Sequence, residues 1–539
     1  MHGSVWSLLP FVIVIPVAMW TRQVIPGLAV GLLAGAFMLH PSPVGGLMGT
    51  LDYLVRELAV PGNLRLILFL YGFGALVGLV RTSGGVAGFA MWLEKRIRST
   101  RGAFVVTWLS GLATFMAPDF RIITVAPIMK SVFTRLKVPT KRVAVVIDIT
   151  ATPLSAVVPI GTAFVGYMVG LLAVANKQHA LGTTPFRLFL ESIPWNLFAW
   201  AAMLAGLWYT FWHRASAQRV ERVSRRQTQK ASRVDGDDSD AQSRSRARGD
   251  IATGASTGSP ASAIAARRLA TEYGEELGSS EDGLGGLDAG KVAAKANDDE
   301  DFPDPVELVA EKSAPRASNL LIPLALLLCL TLFFTWWSGH AKAPGIFGAL
   351  AQADASTAML EALIVTLVVT VLLYSVRRQP IARTMFGFMS GGNEMMGVIV
   401  LLSLVWAVTA VSADLGFVPF TEREVSRIVP PAFIAPALFA CGCIISYVIG
   451  SSFGTWAMLL PLGFSLAAST HASIPLVVGA VFASGTFGGF ASPLSDNTVA
   501  MATVMKLPIM SYAKTKLMIA LPVAGACTVL YAVAGLTVA

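Results

Sequence analysis

Apolar segments about as long as a lipid bilayer is thick recur along almost the whole chain, and this feature limits the possible folds most strongly. One helical pass through the hydrocarbon core needs about 20 apolar residues. Charged residues occupy 14% of the 539 positions, compared with roughly 25% in soluble globular domains. An ordinary soluble enzyme is therefore excluded, and we expect an all-α polytopic membrane protein embedded in the lipid bilayer.

The candidate membrane passes number fifteen, and several of them are short or contain Gly or Pro. We therefore expect about 10–13 transmembrane helices together with broken or re-entrant pieces. The candidate segments are 5–20, 24–39, 62–80, 102–117, 119–134, 143–159, 160–175, 192–213, 319–337, 357–376, 396–412, 432–449, 453–470, 474–490 and 517–538.

Much of the charge lies in one hydrophilic segment, residues 214–318. Its 105 residues hold 16 Lys/Arg and 19 Asp/Glu, and it lacks the periodic apolar residues of a packed helix. Such a composition is typical of disorder. The predicted organisation is an N-terminal transmembrane repeat at 1–213, a disordered loop at 214–318 that acts as a linker or a regulatory segment, and a C-terminal transmembrane repeat at 319–539.

Basic residues cluster near the ends of spans, which indicates membrane orientation rather than binding to nucleic acid. Lys and Arg favour the cytoplasmic side, which predicts three cytoplasmic clusters in a protein of the cell (inner) membrane. Residues 143–191 must then cross an odd number of times, although they contain two candidate passes. A broken or re-entrant piece around Pro153 and Pro159 resolves this, because such backbone is tolerated where it lines a cavity. The basic clusters are residues 94–101, 135–142 and 214–233.

The two halves share a short motif, which indicates an internal duplication. The motif reads Ala-Thr-Pro-Leu-Ser in the first half and Ala-Ser-Pro-Leu-Ser in the second. Upstream of it, Phe120 precedes Pro127 by seven residues and Phe453 precedes Pro461 by eight. In duplicated transporters, broken helices of two inverted repeats meet near the membrane midplane and hold the substrate. We expect the same arrangement here. The two copies of the motif are residues 151–155 and 491–495.

Charged side chains inside apolar segments are energetically expensive and usually functional. Asp496 follows the Pro of the second motif, where its alternative role is to cap a helix. Asp148 precedes the first motif, where its alternative is a position near the cytoplasmic end, close to Lys141 and Arg142. Both carboxylates are candidates for an ion site.

Asp119 and Arg121 form a second charged group inside an apolar segment. Arg121 has the wrong sign for a cation site, so it either pairs with Asp119 or binds an anionic substrate. Glu394 is expected at a span end facing water, and Asp414 at a span boundary.

Oxygen ligands replace water around a hard cation such as Na⁺, and a buried carboxylate can exchange that cation for a proton. No cofactor is expected, and Na⁺ and H⁺ are the suspected transported species. The predicted ion or substrate site consists of Asp496, Asp148, Asp119, Arg121, Ser451, Ser452, Thr455, Ser492, Ser495, Asn497, Thr498 and Thr150.

Other chemistries have weaker support in the sequence. All six His residues fall at ends or turns of apolar runs, so a His proton relay is not predicted. Cys441 and Cys443 lack partner ligands, which indicates packing rather than a metal site. No Gly-x-x-x-x-Gly-Lys-Ser/Thr motif occurs, so ATP-driven pumping is not predicted either.

These motifs resemble those of the NhaC-type sodium/proton antiporter family, within the ion transporter superfamily of duplicated carriers. Residues 450–455, Gly-Ser-Ser-Phe-Gly-Thr, are similar to the family's Gly-Ser-Ser-Trp-Gly-Thr. Residues 492–498 are similar to its Ser-Pro-Ile-Ser-Asp-Thr-Thr. In the first half, residues 107–108, 124–129 and 148–153 fit in the same way. The resemblance covers nearly all of the chain except 214–318, and it implies a transporter that couples sodium to protons.

The chain also departs from the family pattern. The family carries an Asp-Asp-Tyr run before an Asn, whereas this chain has Ala117, Pro118 and Asp119, with Arg121 in the place of the Asn. Gly489 and Phe490 occupy the positions of an Asp-His pair. An acidic pair and a His of the family are therefore replaced.

The sequence predicts a secondary active transporter, with monovalent cation/proton antiport by alternating access as the first hypothesis. Asp496 would be the principal ligand, with Asp148 or Asp119 as the proton-linked partner. A carrier or exchanger of small organic acids or amino acids, using Arg121, is the alternative on the same fold. A non-transporting scaffold has no need of the polar helix breaks. A homodimer is possible.

Overall fold

The computed structural model describes residues 5–94, 97, 99–115, 117–159, 162–179, 182–211, 313–341, 345, 348–349, 352–425 and 430–538. Across these ranges the regular elements are helices, and no strand occurs. The fold is therefore all-α, as predicted. The predicted disordered loop lies outside the described residues except for 313–318.

The first half begins with a short 3₁₀-helix, Val5–Leu8, and continues through helices that differ widely in length. These helices are α1 (Leu9–Thr21), α2 (Val24–Leu39), α3 (Pro43–Leu58), α4 (Pro61–Thr82), α5 (Gly85–Glu94), α6 (Thr100–Thr114), α7 (Pro118–Arg135), α8 (Thr140–Ile149), α9 (Thr152–Val157), α10 (Ala163–His179), α11 (Pro185–Ser192) and α12 (Leu197–Phe211).

The second half contains longer helices and one short π-helix, Thr421–Val425. Its α-helices are α13 (Ser318–Gly339), α14 (Ala355–Val376), α15 (Ile381–Glu394), α16 (Met396–Asp414), α17 (Phe417–Phe420), α18 (Pro431–Ile449), α19 (Ser452–Thr470), α20 (Ile474–Ala491), α21 (Asp496–Met505) and α22 (Ile509–Val538). Residues Met1–Trp212 and Val306–Ala539 form one compact unit, so both halves contribute to the same helical body.

Local sequence explains where several helices begin. The side chains of Ser42, Ser99 and Thr184 accept hydrogen bonds from the backbone amides of the first turns of α3, α6 and α11. Pro occupies the first helical position of α4 and α7, where its missing N–H leaves no helical hydrogen bond unmade. Capping side chains and Pro therefore mark helix starts inside an otherwise apolar sequence.

Eight helical segments of the described residues are long and apolar enough to cross a membrane. A ninth is obtained if α11 and α12, which are bent by 41°, count as one span. The expectation of about 10–13 spans was higher because the first half contains apolar segments whose helices are too short to cross, such as α6, α8 and α9. Two crossing segments, Ile381–Asp414 and Ile474–Met505, contain two helices each, and the helices over Trp6–Thr21 and Val24–Leu39 are shorter than a full span. The chain is a multi-pass membrane protein.

Helices α4 and α15 approach each other more closely than side chains would allow. A Cβ added at Gly78 would collide with the carbonyl oxygen of Gly387, and one added at Gly74 would collide with that of Gly391. Small residues four positions apart let two helix backbones meet in this way. The contact brings α4 of the first half directly against α15 of the second, beside the site described next.

Candidate functional site

Both copies of the repeated motif lie at helix breaks, as predicted. In the first half, α8 ends at Ile149 and α9 begins at Thr152. In the second, α20 ends at Ala491, Ser492 is extended with φ −68° and ψ 137°, and α21 begins at Asp496. The expected broken piece around Pro153 is therefore present, since α8 and α9 are both too short to cross a membrane. Whether the two repeats are inverted stays a prediction.

In each half, a second helix break precedes the break at the motif in the sequence. Helices α6 and α7 are separated before Pro118, and α18 and α19 are separated at Gly450, which has a φ of +78°. The two breaks of the second half touch, because a Cβ at Gly450 would lie 2.6 Å from the carbonyl carbon of Leu494. Gly is thus required at Gly450 both by its φ and by this approach.

In each half, a serine hydroxyl of the motif links the two breaks, although the two serines occupy different motif positions. Ser155 donates to the carbonyl oxygen of Phe115 at 2.7 Å, and Ser492 donates to that of Tyr447 at 2.7 Å. Each acceptor lies at or close to the end of the helix before the earlier break. The matching bonds connect the paired breaks and supply donors for carbonyl groups that a broken helix leaves without helical partners.

The other hydroxyls predicted as ligands also hold backbone in place. Thr455, Ser452, Ser495 and Thr498 donate to the carbonyl oxygens of Ser451, Gly485, Gly489 and Ser492 at distances of 2.9, 2.9, 2.6 and 2.6 Å. The Ser451 side chain caps α19 by accepting a bond from the Gly454 amide. In this conformation, these side chains organise the breaks and do not line the cavity described below.

Arg121 is fully buried and makes an extensive set of hydrogen bonds to neutral oxygens. Its guanidinium donates to Thr150 Oγ1, Ser110 Oγ, Thr114 Oγ1 and the Thr107 carbonyl oxygen, at 2.7–3.3 Å. These bonds occupy all three of its nitrogen atoms. The ion pair with Asp119 that the sequence allowed is not formed. Arg121 instead joins α6, α7 and the end of α8.

Three carboxylates from both halves face one cavity of about 240 Å³. Asp119 lies in the first turn of α7, Glu394 ends α15 and Asp496 begins α21. Asp119 and Asp496 are exposed to this space. The remaining lining residues are mostly apolar: Phe73, Gly74, Val77, Arg81, Ala117, Phe120, Ile123 and Met395. Of the predicted site residues, the structure brings Asp119 and Asp496 together here.

The cavity carries one guanidinium, that of Arg81, which was not predicted from the sequence. Arg81 lies at the end of α4, is 5% exposed, and its Nη1 atom is 2.5 Å from Glu394 Oε1. Glu394 therefore does not simply face water at a span end, as expected from sequence. With three carboxyl groups and one guanidinium, the cavity offers more acidic than basic groups to an occupant.

The N-terminus of α21 lies at this cavity. Asp496 is the first residue of that helix and Ser495 occupies the capping position, so Asp496 is not itself the cap. The positive end of a helix dipole stabilises a carboxylate placed there in its ionised form. Asp496 therefore carries its carboxyl group to the cavity from the positive end of α21.

A buried ion pair joins Asp148 of α8 to Lys516 of α22, next to the first turn of α21. Lys516 was not predicted as a site residue. Lys516 Nζ is 2.6 Å from Asp148 Oδ2 and donates to Thr498 Oγ1 at 2.6 Å, and both charged side chains are 0% exposed. Tyr512 donates to the same Asp148 oxygen at 2.8 Å. Asp148 is therefore not an end residue paired with nearby basic groups. Lys141 instead donates to Ser511.

Lys516 was missed because the last helix begins earlier than expected. The final apolar segment of the sequence begins at 517, whereas α22 begins at Ile509 and contains both Tyr512 and Lys516. Their spacing of four residues, which places both on one helix face, was the available signal. Asp414, at the end of α16, behaves as a boundary residue and bonds to Tyr53 and Arg56.

Apolar spans, polar helix breaks and a charged cavity formed by both halves are the architecture of a membrane transporter, and the comparisons with known proteins support that class. The model of the Na⁺/H⁺ antiporter family matches residues 161–536, well over half of the chain. The chain belongs to this family, the NhaC-type family that its motifs resemble.

Individual relatives are distant. An uncharacterised protein of Haemophilus influenzae is 23% identical over 99% of this chain and 92% of its own length. The malate-2H⁺/Na⁺-lactate antiporter of Bacillus subtilis is 28% identical over 106 residues, which are 20% of this chain and 22% of that protein. Among solved structures, the YdaH transporter of Alcanivorax borkumensis aligns with a TM-score of 0.48 and 14% identity, covering 91% of this chain and 88% of that one.

Proposed function

We propose that the protein exchanges a monovalent cation, Na⁺ in the first instance, for protons across a membrane. The observation that carries this proposal is that Asp119, Glu394 and Asp496, from both halves of the chain, line one cavity. A hard cation takes oxygen ligands, and the family membership adds independent support. Asp496 is the principal ligand, and Asp119 lines the same cavity.

Alternating access provides the transport step. The break between α20 and α21 carries Asp496, and the break before α7 lies beside Asp119. A break lets the two parts of a helix tilt separately, so that the bound cation is exposed first to one side and then to the other. We also propose the inner membrane as the location, a cytoplasmic 214–318 loop and a possible homodimer, as the sequence predicts.

A second candidate is the exchange of small carboxylates, and two observations favour it. The B. subtilis relative is named as a malate-2H⁺/Na⁺-lactate antiporter, and the cavity contains a guanidinium. The residue that would meet an organic anion is Arg81, on the cavity. Arg121, which the sequence analysis assigned to this role, is buried and hydrogen-bonded elsewhere.

The test uses purified protein in liposomes that contain a pH-sensitive dye. Addition of Na⁺, Li⁺ or K⁺ outside should change the internal pH, and Asp496→Asn should abolish this response. Asp52→Asn, an exposed Asp on α3, is the matched control and should behave as wild type. Flux that survives in Asp496→Asn would overturn the role of that residue. Silence with cations and a response to a small organic acid would favour the second candidate.

A further inference from the structure

We propose that Lys516 carries the proton that is exchanged, and that the transported cation replaces its ammonium group at Asp148. The inference rests on the proposed cation/proton exchange and names the group that performs the coupling. The starting observation is that Lys516 and Asp148 form an ion pair with both side chains 0% exposed, yet neither belongs to the charged cavity.

The surroundings of the Lys516 ammonium are those of a bound monovalent cation. Its Nζ atom contacts one carboxylate oxygen of Asp148 and the hydroxyl of Thr498, both at 2.6 Å. It also lies 5.4 Å from the ring centre of Phe490 and 4.7 Å from that of Tyr512, distances at which aromatic faces attract cations. The Lys516 ammonium group therefore occupies a position at which a free monovalent cation could bind to Asp148.

Two buried oxygen atoms can accept a further ligand, one in the ion pair itself and one in the residue next to Thr498. Asp148 Oδ1 is buried and makes no hydrogen bond with any described residue, although Oδ2 of the same carboxylate accepts two. Asn497 Oδ1 is also buried and makes no hydrogen bond with any described residue. Buried polar atoms are normally satisfied, and exceptions of this kind on a carboxylate and an amide suit a cation that loses its water.

The first turn of α21 connects the ion pair to the cavity. Asp496 faces the cavity, and Thr498, two residues later, bonds to Lys516. Between them, Asn497 donates to Thr152 at the break between α8 and α9. A cation that binds at Asp496 thus lies two residues along α21 from Thr498, which contacts Lys516.

The exchange balances in charge and atoms. The Lys516 ammonium gives one proton to water and becomes a neutral amine, and Asp148 keeps its negative charge. One Na⁺ then takes the place of the ammonium beside Asp148. One proton leaves for each cation that binds, and the reverse reaction restores the ion pair when the cation departs.

Few other titratable groups face this pair. Helix α20 contains none, and α21 contributes Asp496 alone. Helix α8 supplies Asp148, while its two basic residues are directed elsewhere, to Ser511 and to backbone of α12. The nearby phenols are Tyr512 on the same helix and Tyr209 on α12, which packs against α8 and α22. Helix α7 packs against α8 and α21, and its charged groups are engaged elsewhere: Asp119 lines the cavity, Arg121 bonds to Thr150 and Lys130 bonds to the Val504 carbonyl oxygen. Asp148 is therefore the charged group that Lys516 meets.

The test compares three substitutions in liposomes, with cation exchange followed by radioactive sodium and proton movement by an internal pH dye. Lys516→Gln cannot carry a proton, so it should keep sodium-for-sodium exchange and lose sodium-driven proton movement. Lys516→Arg keeps a permanent charge, so it should fold, remain bound to Asp148 and lose both fluxes. Lys514→Gln, exposed two residues away on the same helix, should resemble wild type.

The outcomes separate this inference from the function on which it rests. A wild-type protein without sodium-driven proton movement overturns the proposed function and this inference with it. An active wild type in which Lys516→Gln still couples sodium to protons overturns only the role of Lys516. Wild-type exchange in Lys516→Arg would show that Lys516 supplies only a structural charge, and it would overturn the proposal that Lys516 carries the proton. This test remains available if Lys516→Gln does not fold.

Discussion

Asn497 Nδ2 donates a hydrogen bond to Thr152 Oγ1 at 2.8 Å, across 345 residues of sequence. Thr152 belongs to the first copy of the repeated motif, and Asn497 lies two residues after the end of the second copy. Both side chains are buried. The bond joins the two helix breaks, so each half of the chain holds the irregular backbone of the other.

Removing this bond should destabilise the protein measurably. Asn497→Ala leaves the buried Thr152 hydroxyl without its amide partner, at an expected cost of about 1–3 kcal/mol in the free energy of unfolding. Denaturant unfolding in detergent would measure it. A double-mutant cycle with Thr152→Val isolates the pair. Fully additive effects of the two substitutions would show that the bond contributes nothing.

The Asp148–Lys516 pair should show strong coupling in stability. Lys516→Met leaves a buried carboxylate without its cation, and Asp148→Leu leaves a buried ammonium without its anion. Each should lower the free energy of unfolding by about 3–5 kcal/mol. The double variant removes both charges and should be more stable than either single variant. A double variant less stable than both would contradict this, and the same unfolding assay decides.

Arg121→Gln should act mainly on folding. The substitution removes bonds to Thr107, Ser110, Thr114 and Thr150 in the fully buried region between α6 and α8. A hydrogen bond to a charged group contributes roughly 1.5–3 kcal/mol, so several are lost at once. The yield of monodisperse protein on size-exclusion chromatography should fall sharply. A well-folded Arg121→Gln protein that has lost organic-acid uptake alone would restore Arg121 as a substrate ligand.

Arg81→Gln should change ion affinity while the fold persists. It leaves the three cavity carboxylates without their guanidinium, so the cavity becomes more negative and the KM for Na⁺ should fall. The change should weaken as ionic strength rises, because salt screens the exposed carboxylates. Arg187→Gln, at an exposed ion pair with Glu191, is the control. An unchanged KM would show that Arg81 lies outside the path of the cation.

Gly78→Ala should disrupt the contact between α4 and α15. The added methyl group meets the Gly387 carbonyl oxygen, and overpacking of this kind costs about 1–3 kcal/mol. Gly397→Ala on α16 is the matched control, since nothing lies within 4 Å of its added Cβ. It should be neutral or gain up to about 1 kcal/mol from helix propensity. Equal thermal stability of the two variants in detergent would contradict the prediction.

The positions of the helices and of the helix breaks were predictable because both depend on local sequence. The apolar segments identified the helices, and the Pro-containing motifs identified the breaks that precede Pro153 and Asp496. The span count was less accurate for the first half, because sequence does not show that apolar segments such as 102–117 and 143–159 form helices too short to cross a membrane.

The interaction partners of the charged side chains were harder to predict than the positions of the helices. Arg81 and Glu394 are 313 residues apart and Asp148 and Lys516 are 368 apart, and nothing local links either pair. The hydroxyls near the breaks were recognised as polar groups in the right place. The sequence could not show that their nearest acceptors would be carbonyl groups of the broken backbone.

The glycine contact between α4 and α15 limits how this transporter can move. Two helices whose backbones touch through Gly74, Gly78, Gly387 and Gly391 have no side-chain layer between them that could slide or repack. They turn and translate as one body, and Arg81 and Glu394, at the ends of those helices, travel with it. Any opening or closing around the cavity then takes place against a rigid wall, and the freedom belongs to the opposite side, where α7 and α21 carry Asp119 and Asp496.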